Sequence, residues 1–206
     1  MGKLHPMQEQ LITLLAGRRG HFQMESGYHS ESWFDLNRLF RPENRAQLEP
    51  FTAELARRLA AHRIDAVCGP MTGGAKLAEL IAAELGIAHF HADRFEPPNA
   101  SGLFPIQYVI PETEREKLRD RSVAIVDDAI SAGSAVRGTY SDLLTCGARP
   151  VALGALFIFG EAASHFAADH HLALEGIALM SFSLWKPADC PLCKAGTVLE
   201  KVSDAV

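Results

Sequence analysis

No apolar run in this 206-residue chain approaches the roughly 18 residues of a membrane-spanning helix, so no membrane span is expected. Cysteine is scarce. Cys68, Cys146, Cys190 and Cys193 in a chain of this length do not make a disulfide framework. Basic charge is not in excess either: 20 basic residues against 25 acidic ones give a net charge of −5, which argues against a nucleic-acid or membrane-surface partner. The first residues, Met1 to Met7, lack the apolar core of a secretory leader. There are no internal repeats and no linker. What is present is a composition of 48% hydrophobic and 22% charged residues, which is that of a globular protein. The length suits one domain over 1–206, and a cytoplasmic enzyme is the default expectation.

The most informative stretch runs from Val123 to Ala135. Val123-Ala124-Ile125-Val126 suits a buried parallel strand, and two carboxylates, Asp127 and Asp128, stand where it would end. Ala129-Ile130-Ser131-Ala132-Gly133-Ser134-Ala135 then leads into a helical pattern that reaches Leu144. A turn of small residues at a helix start points backbone N–H groups at one spot, beside the positive end of the helix dipole, and suits a phosphate. Ser131 and Ser134 can add hydroxyl donors. The two acids would repel a bare phosphate, so they need sugar hydroxyls or a magnesium ion carried by the same ligand. A ribose 5-phosphate has both a phosphate and a vicinal diol. A strand that ends in two acids is otherwise a metal site or a solvated turn.

A second unit of the same type lies upstream. The stretch from Ile64 to Cys68 reads as a strand, Gly69-Pro70-Met71-Thr72-Gly73-Gly74 as a Gly-rich loop, and the stretch from Ala75 to Leu85 as a helix. Many α/β loops look like this, but beside the first site it offers a second anion cradle. Before it, Gln8 to Leu15 reads as a short helix, and the stretch from Gly20 to Leu36 as a hairpin that turns at Ser26-Gly27. Pro42 opens a helix to about His62, with Leu48, Phe51, Leu55 and Leu59 on one face. Trp33-Phe34 has two readings, packing of the hairpin onto the core or a lid over a planar base. Asp93 to Asp120 is polar and Pro-rich and reads as a twisted hairpin serving as a mobile loop, with Arg115 and Lys117 solvated. Further strands are expected over Ile87 to Ala92, Val151 to Phe159 and Glu175 to Phe182, with a helix over Ala162 to His170. His165, His170 and His171 at that helix end read as polar C-terminal residues or as a metal group. The tail carries one Cys-x-x-Cys, Cys190 and Cys193. A zinc site needs four ligands, so these two would need His residues or a partner chain; otherwise the tail packs on the fold.

The run Asp127 to Ala135 resembles the phosphoribosyl pyrophosphate (PRPP) signature of type I phosphoribosyltransferases, in its orotate version, with Ser where Thr is usual. Gly20-His21-Phe22, Ser26-Gly27, His29-Ser30 and Trp33-Phe34 resemble the N-terminal hood of the orotate enzymes, and the tail resembles theirs too. The resemblance covers roughly 20–185. It implies an α/β fold: a Rossmann-like parallel sheet flanked by helices, with a hood within 1–40, a core over 41–183 and a tail over 184–206. It implies transfer of the 5-phosphoribosyl group from PRPP to a nucleobase, orotate first, with Mg²⁺ held mainly by substrate and a homodimeric assembly. By the same resemblance Asp127 and Asp128 are catalytic and hold the ribose hydroxyls. Ala129, Ile130, Ser131, Ala132, Gly133, Ser134 and Ala135 hold the 5-phosphate, while Thr72, Gly73, Gly74 and Arg94 hold pyrophosphate. Ser26, Phe34 and Ser131 face the base.

Four features depart from the orotate pattern. Gly73 stands where a Lys is frequent, and the Lys and His residues of the mobile loop are missing after Arg94. Glu25 and Glu161 are acidic where a Lys and an Arg usually meet an anionic base. The alternatives are therefore a different base, or a PRPP-binding protein without turnover.

Overall fold

The computed structural model describes residues 6–202, so most of the Met1–Met7 segment lies outside the described residues. Seven helices are described: α1 (Pro6–Thr13), α2 (Arg45–Ala60), α3 (Gly73–Leu85), α4 (Glu112–Leu118), α5 (Ser134–Thr145), α6 (Ala162–Asp169) and α7 (Pro191–Lys194). The nine strands are β1 (Gly17–Gln23), β2 (His29–Phe34), β3 (Ala66–Pro70), β4 (Ala88–Phe95), β5 (Gln107–Val109), β6 (Ser122–Ile130), β7 (Arg149–Phe159), β8 (Ala173–Met180) and β9 (Glu200–Lys201). The main sheet has the order β5-β4-β3-β6-β7-β8 and is parallel except for β5, which returns antiparallel to β4. A smaller sheet, β2-β1-β9, forms the hood.

Successive side chains of β6 enter opposite layers. Val123 and Ile125 join a cluster with Phe90, Leu143 and Phe166, and Ala124 and Val126 join one with Leu55, Leu77 and Phe157. A strand covered on both faces must be apolar at every position, which is why this segment shows no alternation. The α2 face expected from its spacing is buried at Leu48, Phe51, Leu55 and Leu59. Pro42 opens a short 3-10 turn, Pro42–Asn44, just ahead of that helix.

The hairpin expected within Asp93–Asp120 is present, β4 continuing to Phe95 with β5 antiparallel to it, and a helix outside that expectation, α4, follows. Its helix signals are Pro111 at the N-cap, Glu112 and Glu114 in the first turn, and Arg115 and Lys117 in the last. Lys117 is exposed and meets Glu114, but Arg115 is not solvated. It is largely covered and donates to Asp142 Oδ2 at 2.8 Å.

The chain reverses its lateral direction between β3 and β6. From β3 it winds through α3 to β4, and from β6 through α5 to β7, on the other side. The carboxyl ends of two adjacent strands that wind apart leave a crevice, which is where open α/β sheets bind ligands.

Candidate active site

Both loops singled out in the sequence open into this crevice and touch each other. Gly73 and Gly74 start α3; the Asp127–Asp128 pair lies inside the last part of β6, which runs two residues further than expected, to Ile130. A Cβ on Gly73 would overlap the Asp128 carboxylate. A Cβ on Gly74 would stand 2.7 Å from the Val126 carbonyl oxygen and 2.9 Å from Asp127 Oδ1, closer than a side chain can approach. Glycine is therefore required here by the neighbouring acids as well as by any ligand. It also explains locally why this chain has no Lys at 73.

Asp127 Oδ1 accepts the Asp128 N–H at 3.0 Å, and Asp128 Oδ1 accepts the Ala129 N–H at 2.7 Å. The two acids differ in exposure. Asp128 is half-buried, but Asp127 is only 8% exposed and does not stand at the cleft surface. Burial, then the Asp128 charge beside it and more weakly Glu25, push the Asp127 carboxyl well above the usual carboxylate range.

The segment from Ser131 to Gly133 forms the turn before α5. Gly133 is the N-cap, left-handed at φ 81°, and has no side chain to occupy the amides of the first helical turn. Those donors stay available to an anion. Arg137, one turn further on, was missed in the sequence. Its guanidinium lies 4.4 Å from the Phe166 ring centroid, and its buried Nε has no hydrogen-bond partner among the described residues. A Cβ on Gly133 would be 3.4 Å from that Nε, so the cation adjoins the turn. A groove of about 410 Å³ between β5 and α5 includes Ser134 and Arg137 in its lining.

The hood closes on the crevice from the β1–β2 turn. Glu25 accepts from Arg94 Nε at 2.9 Å and from the Tyr108 hydroxyl. Burial and the Glu25 charge keep the Tyr108 phenol protonated, and thus a donor, far beyond its normal range. Arg94 is therefore held by the hood of its own chain. Ser26 is buried with an unpartnered Oγ, and its carbonyl accepts the Phe104 N–H at 2.9 Å. Phe34 stacks on Phe159 at 5.3 Å and packs against Phe182. That is the packing role of its two readings, and the ring is still only partly buried. Glu161 is exposed at the N-cap of α6. The α6 histidines form no metal group among the described residues, and His170 packs on Tyr140 and Phe166.

A family model for a phosphoribosyl transferase domain matches residues 45–174. The chain belongs to this family. Orotate phosphoribosyltransferase of Caldanaerobacter subterraneus subsp. tengcongensis is 27% identical over 183 residues, with 89% of this chain and 88% of that protein covered. Among solved structures, orotate phosphoribosyltransferase from Aeropyrum pernix aligns with a TM-score of 0.60 at 20% identity, over 84% of this chain and 91% of that one. Adenine phosphoribosyltransferase from Rhodothermus marinus aligns at 0.64 and 15% identity, over 84% and 98%. Both structures share the phosphoribosyltransferase fold with this chain. The family match spans both Gly-rich loops and the acidic pair, and the hood lies outside it.

Proposed function

We propose that the protein transfers the 5-phosphoribosyl group of PRPP to orotate, giving orotidine 5′-phosphate and pyrophosphate in pyrimidine nucleotide synthesis. The observation that carries this reading is the contact between the two anion cradles, Gly73 against Asp128, at the switch point of the sheet. Two loops in contact would let a single ligand carrying both a ribose phosphate and a pyrophosphate bridge them. The turn from Ser131 to Ala135, with Arg137 beside it, would hold the 5-phosphate, and Thr72, Gly73 and Gly74 the pyrophosphate. Asp128, the more exposed of the pair, would accept from the ribose hydroxyls, with Asp127 behind it, and the negative charge of the pair would favour the positive charge that develops as the anomeric bond breaks. Orientation of the base and sugar would supply much of the remainder. Magnesium commonly takes one or two carboxylates together with substrate phosphates, and the acidic pair fits that donor set. When bound, Mg²⁺ neutralises charge on the departing pyrophosphate. Exposed Phe95, Phe104 and Val109 on and beyond the hairpin are residues that a second subunit would cover, which supports a homodimer.

Orotate is preferred over other bases for two reasons. The curated relatives named for it align over 89% of this chain and 88% of their own length, well beyond the span of the family model. The acidic Glu25, unfavourable beside an anionic base, is compensated in place by Arg94. Incubation with PRPP, Mg²⁺ and orotate should deplete the orotate absorbance, with adenine and other bases as parallel arms. No orotate loss, with turnover of another base, would replace the substrate and keep the chemistry.

The Glu25–Arg94 pair gives a sharper test. Arg94→Ala leaves Glu25 uncompensated near Asp127, and the KM for orotate should rise about five- to tenfold. Adding Glu25→Gln should restore most of that loss. Two effects that simply add would show that the pair does not set the charge of the pocket.

A further inference from the structure

His21 and His29 of the hood meet Cys190 and Cys193 of the tail, and their four ligand atoms lie within 4.8 Å of one another. From this juxtaposition we infer that the protein binds one structural Zn²⁺ ion that fastens the C-terminal tail to the hood.

The sequence brings these groups together by separate means. His21 and His29 are diagonal neighbours on one face of the β1–β2 ladder, whose register shifts between Arg19 and Phe22. Cys190 caps α7 and Cys193 lies within it, so one tight turn presents both thiols. The tail is also tied to the hood by β9 alongside β1 and by the bridge between Trp185 and His29.

The distances suit a tetrahedron. His21 Nε2 lies 3.1 Å from His29 Nδ1. Cys190 Sγ is 3.4 Å from His21 Nε2, and Cys193 Sγ is 3.6 Å from His21 Nε2 and 3.3 Å from His29 Nδ1. A zinc ion with Zn–N of about 2.0–2.1 Å and Zn–S of about 2.3 Å has ligand–ligand edges of roughly 3.3–3.8 Å. The outer contact is in place as well. His21 Nδ1 lies 2.9 Å from the Thr197 carbonyl oxygen, which makes Nδ1 the protonated nitrogen and turns Nε2 toward the cluster. His21, His29 and Cys190 are buried, which a tail merely packed on the fold does not require of two adjoining imidazoles.

An N₂S₂ donor set in this shape selects zinc among the abundant divalent ions. Binding releases the two thiol protons to solvent, and two thiolates with two neutral imidazoles leave the centre uncharged. All four positions are filled by protein, so the ion has no open site for chemistry and its role is structural.

Tag-free protein purified without chelator should contain about one zinc per chain by elemental mass spectrometry. Protein stripped with a chelator and reloaded with Co²⁺ should show tetrahedral ligand-field bands with thiolate-to-cobalt charge transfer. Cys190→Ser with Cys193→Ser should lose the bands and nearly all the zinc, and chelated wild type should melt at the lower temperature of that variant. Wild-type protein without stoichiometric zinc, a featureless Co²⁺ spectrum, or an intact mass showing a Cys190–Cys193 disulfide would each overturn the assignment. The metal content and spectra of the wild type decide the matter even if the double variant fails to fold.

Discussion

Asp127→Asn combined with Asp128→Asn is expected to lower phosphoribosyl transfer by about 100- to 1,000-fold or more, with the fold intact. The loss follows from removing the charge that would face the ribose and its developing positive centre. The fold should survive because Asn retains the oxygens that accept the Asp128 and Ala129 amides. Measurable transfer close to wild type would sink the catalytic assignment of the pair.

The single variant Asp127→Asn should separate stability from activity. Asp127 is buried beside Asp128, and both features hold its carboxyl above the usual range. The folded state therefore binds this proton more tightly than the unfolded chain does. Stability from this group is fully present below the ordinary carboxylate range near pH 4, and it falls as pH rises toward the raised native value. The neutral amide carries no such penalty. The melting temperature of the variant should exceed that of wild type by a margin that widens above about pH 4 and then levels off. Each 1 kcal/mol corresponds to about 2–4 °C in a chain of this size. A margin constant across that range would mean that Asp127 is not strained by ionisation. A gain in stability paired with a loss of transfer is the expected mark of an acid kept buried for its chemistry.

The strand–acid–turn–helix run from Val123 to Leu144 could be read in the sequence because every signal in it is local. Small apolar residues, two acids and a Gly at the N-cap sit in one contiguous stretch, and the structure follows that order in β6 and α5 except that the strand runs past the acids to Ile130. The same holds for the α2 face, where spacing alone names the buried residues. What escaped was non-local. Nothing within Pro97–Gly102 or around Glu25 announces that Arg94 and Tyr108 converge on a hood carboxylate more than sixty positions away, and the two sign reversals looked unfavourable for that reason. Only the fold shows that one of them carries its own counter-charge. The cysteine pair shows the same limit. Its two histidine partners lie at the other end of the chain, so spacing within the tail could not supply them. Phe34 is a different case: an aromatic residue at a hood edge has the same signature whether it covers a base or the core, and the structure shows its packing on Phe159.

Gly73→Ala should reduce kcat/KM for PRPP by about 10- to 100-fold with little change in melting temperature. Gly73→Lys, which introduces the residue frequent in the resembling orotate enzymes, should lose activity rather than gain it. The reason is the occupied space. A Cβ at 73 overlaps the Asp128 carboxylate, which must then turn away and break its 2.7 Å bond to the Ala129 amide. Asp128 is half-buried, and moving its side chain would relieve the strain at the expense of a functional group while sparing the fold. The usual gain of about 0.5–1 kcal/mol from replacing a helical glycine by alanine offsets what strain remains. Steady-state kinetics would show the defect in PRPP use, and calorimetry would show weaker PRPP binding. Should Gly73→Lys raise the turnover, the acidic pair and the loop at the start of α3 cannot be in contact as described, and the two loops must stand further apart.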